Sequence, residues 1–313
     1  MAVSLAPRVL ADLPVSPTVI DLIAGRVRLL PWSEAENSHA VDAIYTYGHP
    51  TVDSAMLDRL AGVKVISNFG VGVDHIDVAA ATARGIPVGN TPGILDGATA
   101  DLAFALILAV GRRIVEGDKY ARGPEFLQYD PTYLIGREVH HTTLGIIGLG
   151  RIGEQVARRA QGFDMKVLYH NRRRRPDAEE RLGVRYASRD ELLRLSDYVL
   201  LTCPLTNETR GLIGRSELAT MKPTAALVNV ARGPVVDKAA LTEALTNGTI
   251  RMAALDVTDP EPLPRDHPLL QLDNAVITPH LGSATEETRR RMAEVSVENL
   301  MLGLAGQALL HQV

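Results

Sequence analysis

The sequence of 313 residues has little of several features that would point to other classes of protein. A single cysteine, Cys203, excludes an internal disulfide framework and is typical of a reducing cytosol. The net charge of −4 does not favour a general nucleic-acid binder. The longest apolar stretch, Leu102 to Val110, is too short to cross a bilayer, and no N-terminal signal pattern is present. We therefore expect a cytoplasmic protein that contacts neither nucleic acid nor membrane.

The most informative motif is a glycine-rich turn in the middle of the chain. An apolar run, predicted to be a strand, ends in Gly148-Leu-Gly150-Arg-Ile-Gly153, and a predicted helix follows at once. Gly148 permits a tight turn, Gly150 lets the backbone approach a pyrophosphate, and Gly153 lets helix and strand pack closely. The start of the helix offers unpaired N–H groups to the anion. The motif predicts dinucleotide binding; a glycine turn in an ordinary α/β unit is the alternative.

The end of the next predicted strand bears on the choice of dinucleotide. Enzymes that use NAD usually have Asp or Glu about 20 residues after the glycines, where it binds the ribose 2′-hydroxyl. Here the strand 166–170 is followed by Asn171 and four arginines, Arg172 to Arg175. A carboxylate would repel a 2′-phosphate, whereas a guanidinium can bind it through two hydrogen bonds. We predict that NADP(H) is preferred and NAD(H) is possible; a solvated arginine loop is the alternative.

Short predicted strands and helices alternate along most of the chain, a pattern typical of parallel sheets covered by helices. In the first part the predicted strands are 8–12, 27–30, 42–46, 64–67 and 87–89, and the predicted helices are 16–24, 52–60 and 78–84. In the second part six strands are predicted, one from Leu144 and five at 166–170, 198–202, 225–230, 252–257 and 274–277. The helices predicted there are 153–162, 189–195, 215–221, 238–247 and 285–304.

The two alternating parts are joined by a predicted helix from about Ala98 to Tyr120 and a loop-like segment, 123–138. The helix is apolar most of the way round over Leu102 to Ala109, so we expect it to be buried in a core or between subunits.

The central position of the glycine motif determines the predicted domain organisation. We predict a dinucleotide-binding domain, residues 98–284, inserted into a substrate domain formed by residues 1–97 and 285–313. The predicted fold class is α/β with two doubly wound parallel-sheet domains, the inserted one Rossmann-type and the other flavodoxin-like. Ligands of such sheets bind beyond the carboxyl ends of the strands, so we expect the active site in the cleft between the domains.

Three loops that follow predicted strands carry groups suited to the reduction of a 2-oxo acid. That reaction needs a cation for the carboxylate and an acid for the carbonyl oxygen. Arg232 can bind the carboxylate, His280 can donate the proton, and Glu261 can hydrogen-bond to the other ring nitrogen of the histidine. Each residue alone is usually a surface or structural side chain. Their places after successive strands of a dinucleotide domain favour a catalytic set.

These segments resemble the D-isomer-specific 2-hydroxyacid dehydrogenase family over nearly the whole chain. The matching motifs are Gly148-Leu-Gly-Arg-Ile-Gly153, Cys203-Pro-Leu-Thr206, Asn229-Val-Ala-Arg232-Gly, Leu255-Asp-Val257 with Glu261-Pro262, and Pro279-His280-Leu-Gly-Ser283. The resemblance implies Arg232, Glu261 and His280 as the catalytic residues and Asp256 as a contact of the nicotinamide carboxamide. It also implies that the loop 69–74 offers N–H groups to the substrate carboxylate. Glycines allow such an anion site, and a strand-to-helix turn is the alternative.

The predicted ligand contacts form two sets. The cofactor set comprises the glycine turn, the following strand end and loops close to the nicotinamide: Thr99, Gly148, Gly150, Arg151, Ile152, Gly153, Asn171, Arg172, Arg173, Cys203, Pro204, Val230, Asp256 and Gly282. The substrate set is Val71, Gly72, Arg232 and His280. No metal site is predicted.

Within the family the chain most resembles the glyoxylate/hydroxypyruvate reductase branch, including hydroxyphenylpyruvate reductase-like members. The similar segments are Asp101-Leu-Ala, Leu106 to Arg113 and Asp118-Lys-Tyr120. Many relatives have tryptophans in the loop 123–133 that reach the neighbouring subunit, whereas this chain has Phe126 and Tyr129 there. The resemblance implies a homodimer, for which the apolar helix from Leu102 offers a surface.

We therefore predict NADPH-dependent reduction of a small 2-oxo acid, glyoxylate or hydroxypyruvate, to the D-2-hydroxy acid. Arylpyruvates and 2-oxo sugar acids are alternative substrates. A nucleotide-sensing binding protein is an alternative of another class, although the complete catalytic set favours an enzyme. A methyltransferase would leave Arg232, Glu261 and His280 without a role.

Overall fold

The computed structural model describes residues 6–12, 14–36 and 41–313 and confirms an α/β fold with two parallel sheets. The chain divides into two compact units. Unit 1 comprises Met1–Leu95 and Thr285–Val313, and unit 2 comprises Asp96–Ala284. The predicted first domain boundary lies two residues further along the chain, at residue 97.

Unit 1 contains a five-stranded parallel sheet in the order β2-β1-β3-β4-β5. This is the flavodoxin-like strand order. The strands are β1 (Arg8–Ala11), β2 (Arg28–Pro31), β3 (Ala43–Thr46), β4 (Ile66–Asn68) and β5 (Val88–Gly89). The helices are α1 (Pro17–Ile23), α2 (Ser54–Arg59), α3 (Val78–Ala83) and α11 (Glu286–Leu304), with a short 3₁₀ helix at Trp32–Glu36.

Polar side chains of unit 1 cap a helix and bind the C-terminal helix to the sheet. The side chain of Asp53 accepts a hydrogen bond from the N–H of Met56 at 2.8 Å and caps α2. The C-terminal helix α11 carries Ser296, whose hydroxyl lies 2.8 Å from that of Tyr45 on β3. The carbonyl of Ser296 accepts a hydrogen bond from Ser67 on β4 at 2.6 Å. These buried bonds fasten the end of the chain to the first sheet.

Unit 2 contains a seven-stranded parallel sheet in the order β12-β11-β10-β9-β6-β7-β8. Its strands are β6 (Thr143–Ile147), β7 (Lys166–His170), β8 (Arg185–Tyr186), β9 (Tyr198–Leu201), β10 (Ala226–Asn229), β11 (Met252–Leu255) and β12 (Ala275–Ile277). Its helices are α4 (Asp96–Arg112), α5 (Ile114–Arg122), α6 (Arg151–Gln161), α7 (Pro176–Leu182), α8 (Arg189–Leu195), α9 (Arg215–Thr220) and α10 (Lys238–Thr246). Short 3₁₀ helices lie at Gly233–Val235 and Pro268–Gln271. The strand order reverses beside β6, and the crevice at that point is where such sheets bind dinucleotides.

Three features of unit 2 differ from the sequence-based expectation. The predicted six strands are seven, because β8 adds a two-residue edge, and α7 was not predicted. The single helix predicted from Ala98 to Tyr120 is two helices, α4 and α5, since Arg113 between them has a left-handed φ of 53°. The guanidinium of Arg113 donates from Nε to Glu116 at 2.7 Å, a bond within the first turn of the second helix.

The apolar part of α4 is buried within unit 2. Phe104, Leu106 and Ile107 are at most 5% exposed and belong to the core that covers one face of the large sheet. This burial agrees with the expectation that the apolar helix lies in a core, and the homodimer stays a prediction. Among the residues that the structure describes, no helix is long and apolar enough to cross a membrane.

Candidate active site

Close contacts in the glycine turn after β6 leave no room for a side chain at Gly148 or Gly153. Gly148 has φ +106°, and a side-chain carbon placed on it would collide with the backbone of Cys203. The hydroxyl of Thr202 donates to the carbonyl of Gly148 at 2.8 Å. A side-chain carbon on Gly153 would lie only 2.7 Å from that same carbonyl oxygen. The turn is therefore packed between α6 and the end of β9.

The open side of the turn fits a dinucleotide pyrophosphate. Gly150 directly precedes α6, and a side-chain carbon on it would meet no atom within 4 Å. The first N–H groups of a helix have no partner inside the helix, so those of Arg151 and Ile152 are oriented toward this open space. The residues present thus provide the close approach and the anion-binding helix start that such a cofactor needs.

Asn171, at the end of β7, is fastened to the glycine turn. Its side-chain oxygen accepts a hydrogen bond from the N–H of Leu149 at 2.6 Å, and its amide nitrogen donates to the carbonyl of Leu149 at 3.1 Å. The sequence indicated Asn171 as a residue beside the ribose but gave no sign of this two-way bond. The residue therefore positions the turn in addition to any contact it makes with a cofactor.

The arginine run after Asn171 separates into two pairs. Arg174 donates to Glu179 from Nε at 2.7 Å, and Arg175 donates to Glu154 from Nη2 at 2.9 Å. Arg172 and Arg173 are exposed, and neither forms an ion pair with any residue that the structure describes. In the described ranges, ion pairs therefore engage only the second pair of the run, Arg174 and Arg175.

The histidine and glutamate of the predicted catalytic set are hydrogen-bonded to each other. Nδ1 of His280 lies 2.7 Å from Oε1 of Glu261, and the other carboxylate oxygen accepts from the N–H of Thr258 at 3.3 Å. Both side chains are partly exposed, 31% for His280 and 39% for Glu261. Because the carboxylate engages Nδ1, proton donation to a substrate falls to Nε2.

Asp256 holds the turn that presents His280. Its buried carboxylate accepts from the hydroxyl of Thr278 at 2.6 Å, from the N–H of Leu281 at 2.7 Å and from the N–H of Gly282 at 2.9 Å. The N–H of His280, a residue with a left-handed φ of 55°, donates to the carbonyl of Asp256 at 2.9 Å. The sequence predicted a nicotinamide contact for Asp256 and missed this positioning role.

Arg232 lies on a loop that packs against the loop of the glutamate. Buried Asn229 organises it by donating to the carbonyl of Arg232 at 2.9 Å and accepting from the N–H of Ala231 at 3.0 Å. A side-chain carbon on Gly233 would collide with the carbonyl of Thr258, so only glycine permits this approach. The Arg232 side chain is half-buried. The loops of all three predicted catalytic residues are therefore adjacent within unit 2.

The remaining cofactor residues surround the same strand ends. Thr99 lies beside Gly282 and is 5% exposed, and Val230 is 8% exposed at the end of β10. Cys203, which Pro204 follows, is buried after β9, and burial raises its thiol pKa to about 11. A protonated thiol at neutral pH is a packing group and not a nucleophile.

The carbonyl groups of the loop after β4 in unit 1 accept hydrogen bonds from side-chain amides. The side-chain amide of Asn68 donates to the carbonyls of Gly70 and Gly72, each at 2.9 Å, and that of Asn90 donates to the carbonyl of Val71 at 2.9 Å. Within the described ranges the N–H groups of Gly70, Val71 and Gly72 donate to no acceptor. This is the arrangement that an anion-binding loop requires.

No group of three or more His, Cys, Asp or Glu side chains in the described ranges could hold a metal ion.

Comparisons with known proteins agree with this geometry. The model of the D-isomer specific 2-hydroxyacid dehydrogenase, NAD binding domain, matches residues 104–282. A glyoxylate reductase of Korarchaeum cryptofilum is 48% identical over 267 residues, which cover 85% of this chain and 80% of the relative. A crystal structure of a protein from Thermus thermophilus superposes with a TM-score of 0.89 at 45% identity, covering 98% of this chain and 99% of that one.

A third relative has been solved with a cofactor. The NADPH-dependent glyoxylate/hydroxypyruvate reductase of Sinorhizobium meliloti, in complex with NADP and malonate, gives a TM-score of 0.89 at 31% identity and covers 98% of this chain and 96% of that one. The fold and site thus define a dehydrogenase that uses a nicotinamide dinucleotide. The chain belongs to the D-isomer specific 2-hydroxyacid dehydrogenase family.

Proposed function

We propose that the protein reduces a small 2-oxo acid, glyoxylate or hydroxypyruvate, to the corresponding D-2-hydroxy acid with NADPH. The observation that carries this proposal is the 2.7 Å bond between His280 and Glu261 beside the loop of Arg232. It provides a proton donor with a defined tautomer next to a cation for a carboxylate. The similarity to the glyoxylate reductase of K. cryptofilum and to the glyoxylate/hydroxypyruvate reductase of S. meliloti supports the same reaction class.

Each residue has a distinct task in this reaction. When bound, the reduced nicotinamide supplies the hydride. Arg232 binds the substrate carboxylate and polarises the carbonyl. The N–H groups of Val71 and Gly72 in unit 1 stay predicted contacts of a carboxylate. His280 donates a proton from Nε2 to the oxygen as negative charge develops there. Glu261 accepts the Nδ1 hydrogen bond and stabilises the protonated imidazole before transfer.

The preference for NADPH over NADH depends on the end of β7. Asn171 stands where a carboxylate would select the 2′-hydroxyl, and its neutral amide does not repel a phosphate. Arg172 and Arg173 are exposed and form no ion pair with a carboxylate in the described ranges, although the charge of Arg172 also acts on Glu208, and they supply the charge for the 2′-phosphate. Arg174 and Arg175 are already engaged with carboxylates and contribute less.

The proposal is tested by following the oxidation of NADPH and NADH by purified protein with a panel of 2-oxo acids. The panel contains glyoxylate, hydroxypyruvate, phenylpyruvate and a 2-oxo sugar acid. We expect the highest kcat/KM with one of the first two and with NADPH. A higher value with NADH would refute the cofactor preference, and a higher value with a bulkier acid would refute the substrate. No turnover with any acid would favour a nucleotide-sensing binding protein.

We further propose that the protein is cytoplasmic, because its lone buried cysteine is typical of a reducing compartment.

We also propose that the protein is a homodimer. Among the described residues, seven of the twelve exposed large hydrophobic side chains fall within residues 114–135, and Leu127 and Tyr129 are 88% and 80% exposed. Exposed apolar side chains this concentrated mark an association surface. A second copy is the proposed occupant. Sedimentation of wild type and of a Leu127→Asp variant tests this: we expect a dimer that the variant dissociates, and a monomeric wild type would refute it.

A further inference from the structure

The exposed arginines after β7 lie on a short stretch of chain whose two ends are both fixed. Asn171 fixes the first end through its two hydrogen bonds to Leu149. At the second end, the N–H of Arg175 donates to the hydroxyl of Tyr169 at 2.7 Å. Only residues 172–174 lie between these two attachment points. The position of the stretch therefore depends on a tyrosine hydroxyl as well as on the asparagine.

Tyr169 is a fully buried residue of β7 whose hydroxyl has two partners. The hydroxyl donates to Oε1 of Glu179 on α7 at 2.7 Å while it accepts from the N–H of Arg175. A hydroxyl group has one proton to donate and can accept at the same time, so the two roles are compatible. Burial raises the pKa of Tyr169, and the bond to Glu179 raises it further. The proton therefore stays on the oxygen at neutral pH, and both bonds persist.

The same hydroxyl takes the place of a cap at the beginning of α7. Arg175 is the N-cap residue of this helix, and its own side chain forms no capping hydrogen bond. In a capping box, the N–H of the N-cap residue bonds to a side chain three positions later. That position is Ala178, which has no acceptor in its side chain. Tyr169 supplies the acceptor from the neighbouring strand, and so helps to fix where the arginine stretch ends.

Glu179 connects the tyrosine to the paired arginines. Its carboxylate accepts from the hydroxyl of Tyr169 and from Nε of Arg174, each at 2.7 Å. The bond from Arg174 and then that from Tyr169 lower the pKa of Glu179 to about 2, so the carboxylate is charged at neutral pH. The hydroxyl of Tyr169 thus belongs to one bonded group that joins β7, α7 and the arginine stretch.

We propose that Tyr169 is a positioning residue for the 2′-phosphate of NADPH. Its hydroxyl fixes one end of the stretch 172–174, and the fixed stretch places Arg172 and Arg173 for bonds to that phosphate. The inference rests on the proposed preference for NADPH. Because NADH has no 2′-phosphate, its binding should not depend on this hydroxyl.

The test compares the Kd values of NADPH and NADH, measured by fluorescence titration without a 2-oxo acid so that turnover does not contribute. Tyr169→Phe removes the hydroxyl and keeps the ring, which packs against the ring of Tyr186 with centres 5.5 Å apart. We expect the Kd of NADPH to rise about three- to fivefold and that of NADH to change less than about twofold. Tyr186→Phe is the matched control, because the Tyr186 hydroxyl forms no hydrogen bond in the described ranges. It should bind both dinucleotides as wild type does.

Two further measurements show whether the hydroxyl acts through the exposed arginines. In an Arg172→Ala/Arg173→Ala background, Tyr169→Phe should not weaken NADPH binding further, because the groups that it positions are gone. Hydrogen exchange of the cofactor-free protein, followed by mass spectrometry, should show a protected segment 171–176 in wild type. The same segment should exchange faster in Tyr169→Phe, since the N–H of Arg175 has lost its acceptor.

Several results would overturn the proposal. Equal weakening of NADPH and NADH binding would indicate a general structural role for Tyr169. Unchanged NADPH binding in Tyr169→Phe, a further loss in the background without the two arginines, or an unprotected segment 171–176 in wild type would each refute positioning. In all these cases a weakened NADPH affinity of Arg172→Ala/Arg173→Ala would leave the proposed preference intact. If that double variant bound NADPH as wild type does, the preference would fail and this inference with it.

Discussion

Charged side chains at the two edges of the seven-stranded sheet differ in whether they are bonded to other side chains. At the carboxyl edge, polar side chains are bonded to each other: His280 to Glu261, and Asp256 to the turn that carries the histidine. At the amino edge, where the strands of this sheet begin, Arg112 and Arg137 form no ion pair with a carboxylate in the described ranges. The first edge is preorganised around the proposed reaction, whereas the second carries guanidinium groups far from the predicted catalytic residues.

Substitutions at the two edges should have different consequences, because only one edge carries the predicted catalytic residues. Preorganised groups cost little reorganisation when the reaction occurs, so removing one of them should affect turnover strongly. Guanidinium groups at the amino edge, away from these residues, should leave turnover unchanged. Substitutions at the two edges should therefore differ in both the size and the kind of their effects.

The largest effect is expected for His280→Ala. Loss of the proton donor should lower kcat with the preferred 2-oxo acid at least ~100-fold. Steady-state kinetics at saturating NADPH measure it. Arg251→Gln, at the amino edge, is the control and should keep the wild-type kcat. If the two variants had similar kcat values, the assignment of chemistry to the carboxyl edge would fail.

Arg232→Ala should lower kcat and raise KM for the 2-oxo acid together, since carboxylate binding and carbonyl polarisation are both lost. We expect kcat/KM to fall roughly 10- to 100-fold, as for the loss of a charged hydrogen-bonding partner. The KM for NADPH should not change. Unaltered kinetics would remove Arg232 from the site.

Asp256→Asn tests whether the buried carboxylate positions His280. The amide would present N–H groups toward the N–H donors of Leu281 and Gly282, and the turn should loosen. We expect kcat to fall about tenfold while KM for the 2-oxo acid is unchanged, because Arg232 still binds the carboxylate. Thr278→Val removes only one of the bonds and should have a smaller effect. A rise in KM alone would contradict the positioning role.

The arginine run after Asn171 allows a test of the proposed preference for NADPH. Arg172→Ala/Arg173→Ala should raise KM for NADPH severalfold, up to about tenfold, and leave KM for NADH unchanged, since only the former has a 2′-phosphate. Arg174→Ala is the matched control, because Arg174 is already bound to Glu179. An equal change in all arginine variants would show that the run acts only through overall charge.

The smallest effect is expected at Cys203. Burial raises the pKa of this thiol to about 11. At pH 8 only about one thiol in a thousand would then be ionised. Iodoacetamide at that pH should leave both the cysteine and the activity intact, as mass spectrometry and a rate assay would show. Rapid alkylation of the native protein would show that the strand end opens.

Much of the fold was predictable because local signals agreed with each other. Apolar runs ending at Gly148 and Asn171 marked strands, and the glycine spacing identified the dinucleotide unit. The break at Arg113 was not predictable, since no glycine or proline marks it and the left-handed conformation occurs at an arginine. The edge strand β8 has only two residues, too few for an alternating pattern.

The residue types of the site were predictable, whereas most of the hydrogen bonds and ion pairs between them were not. Residue order and the family resemblance pointed to His280, Glu261 and Arg232, and the hydrogen bond between the first two agrees with the expected pairing. The division of the arginine run depends on Glu179 and Glu154, which reach it from α7 and α6. Contacts between distant segments of this kind have no signature in a single sequence.

The two-way bond between Asn171 and Leu149 has a practical consequence for anyone redesigning the enzyme. The side chain at this strand end bears on the choice between the two dinucleotides, so an exchange of selectivity would start there. Here an aspartate at position 171 would keep the acceptor for the N–H of Leu149 but lose the donor to its carbonyl. One of the two hydrogen bonds that hold the glycine turn would then be missing. A successful exchange would therefore need a compensating anchor for that turn.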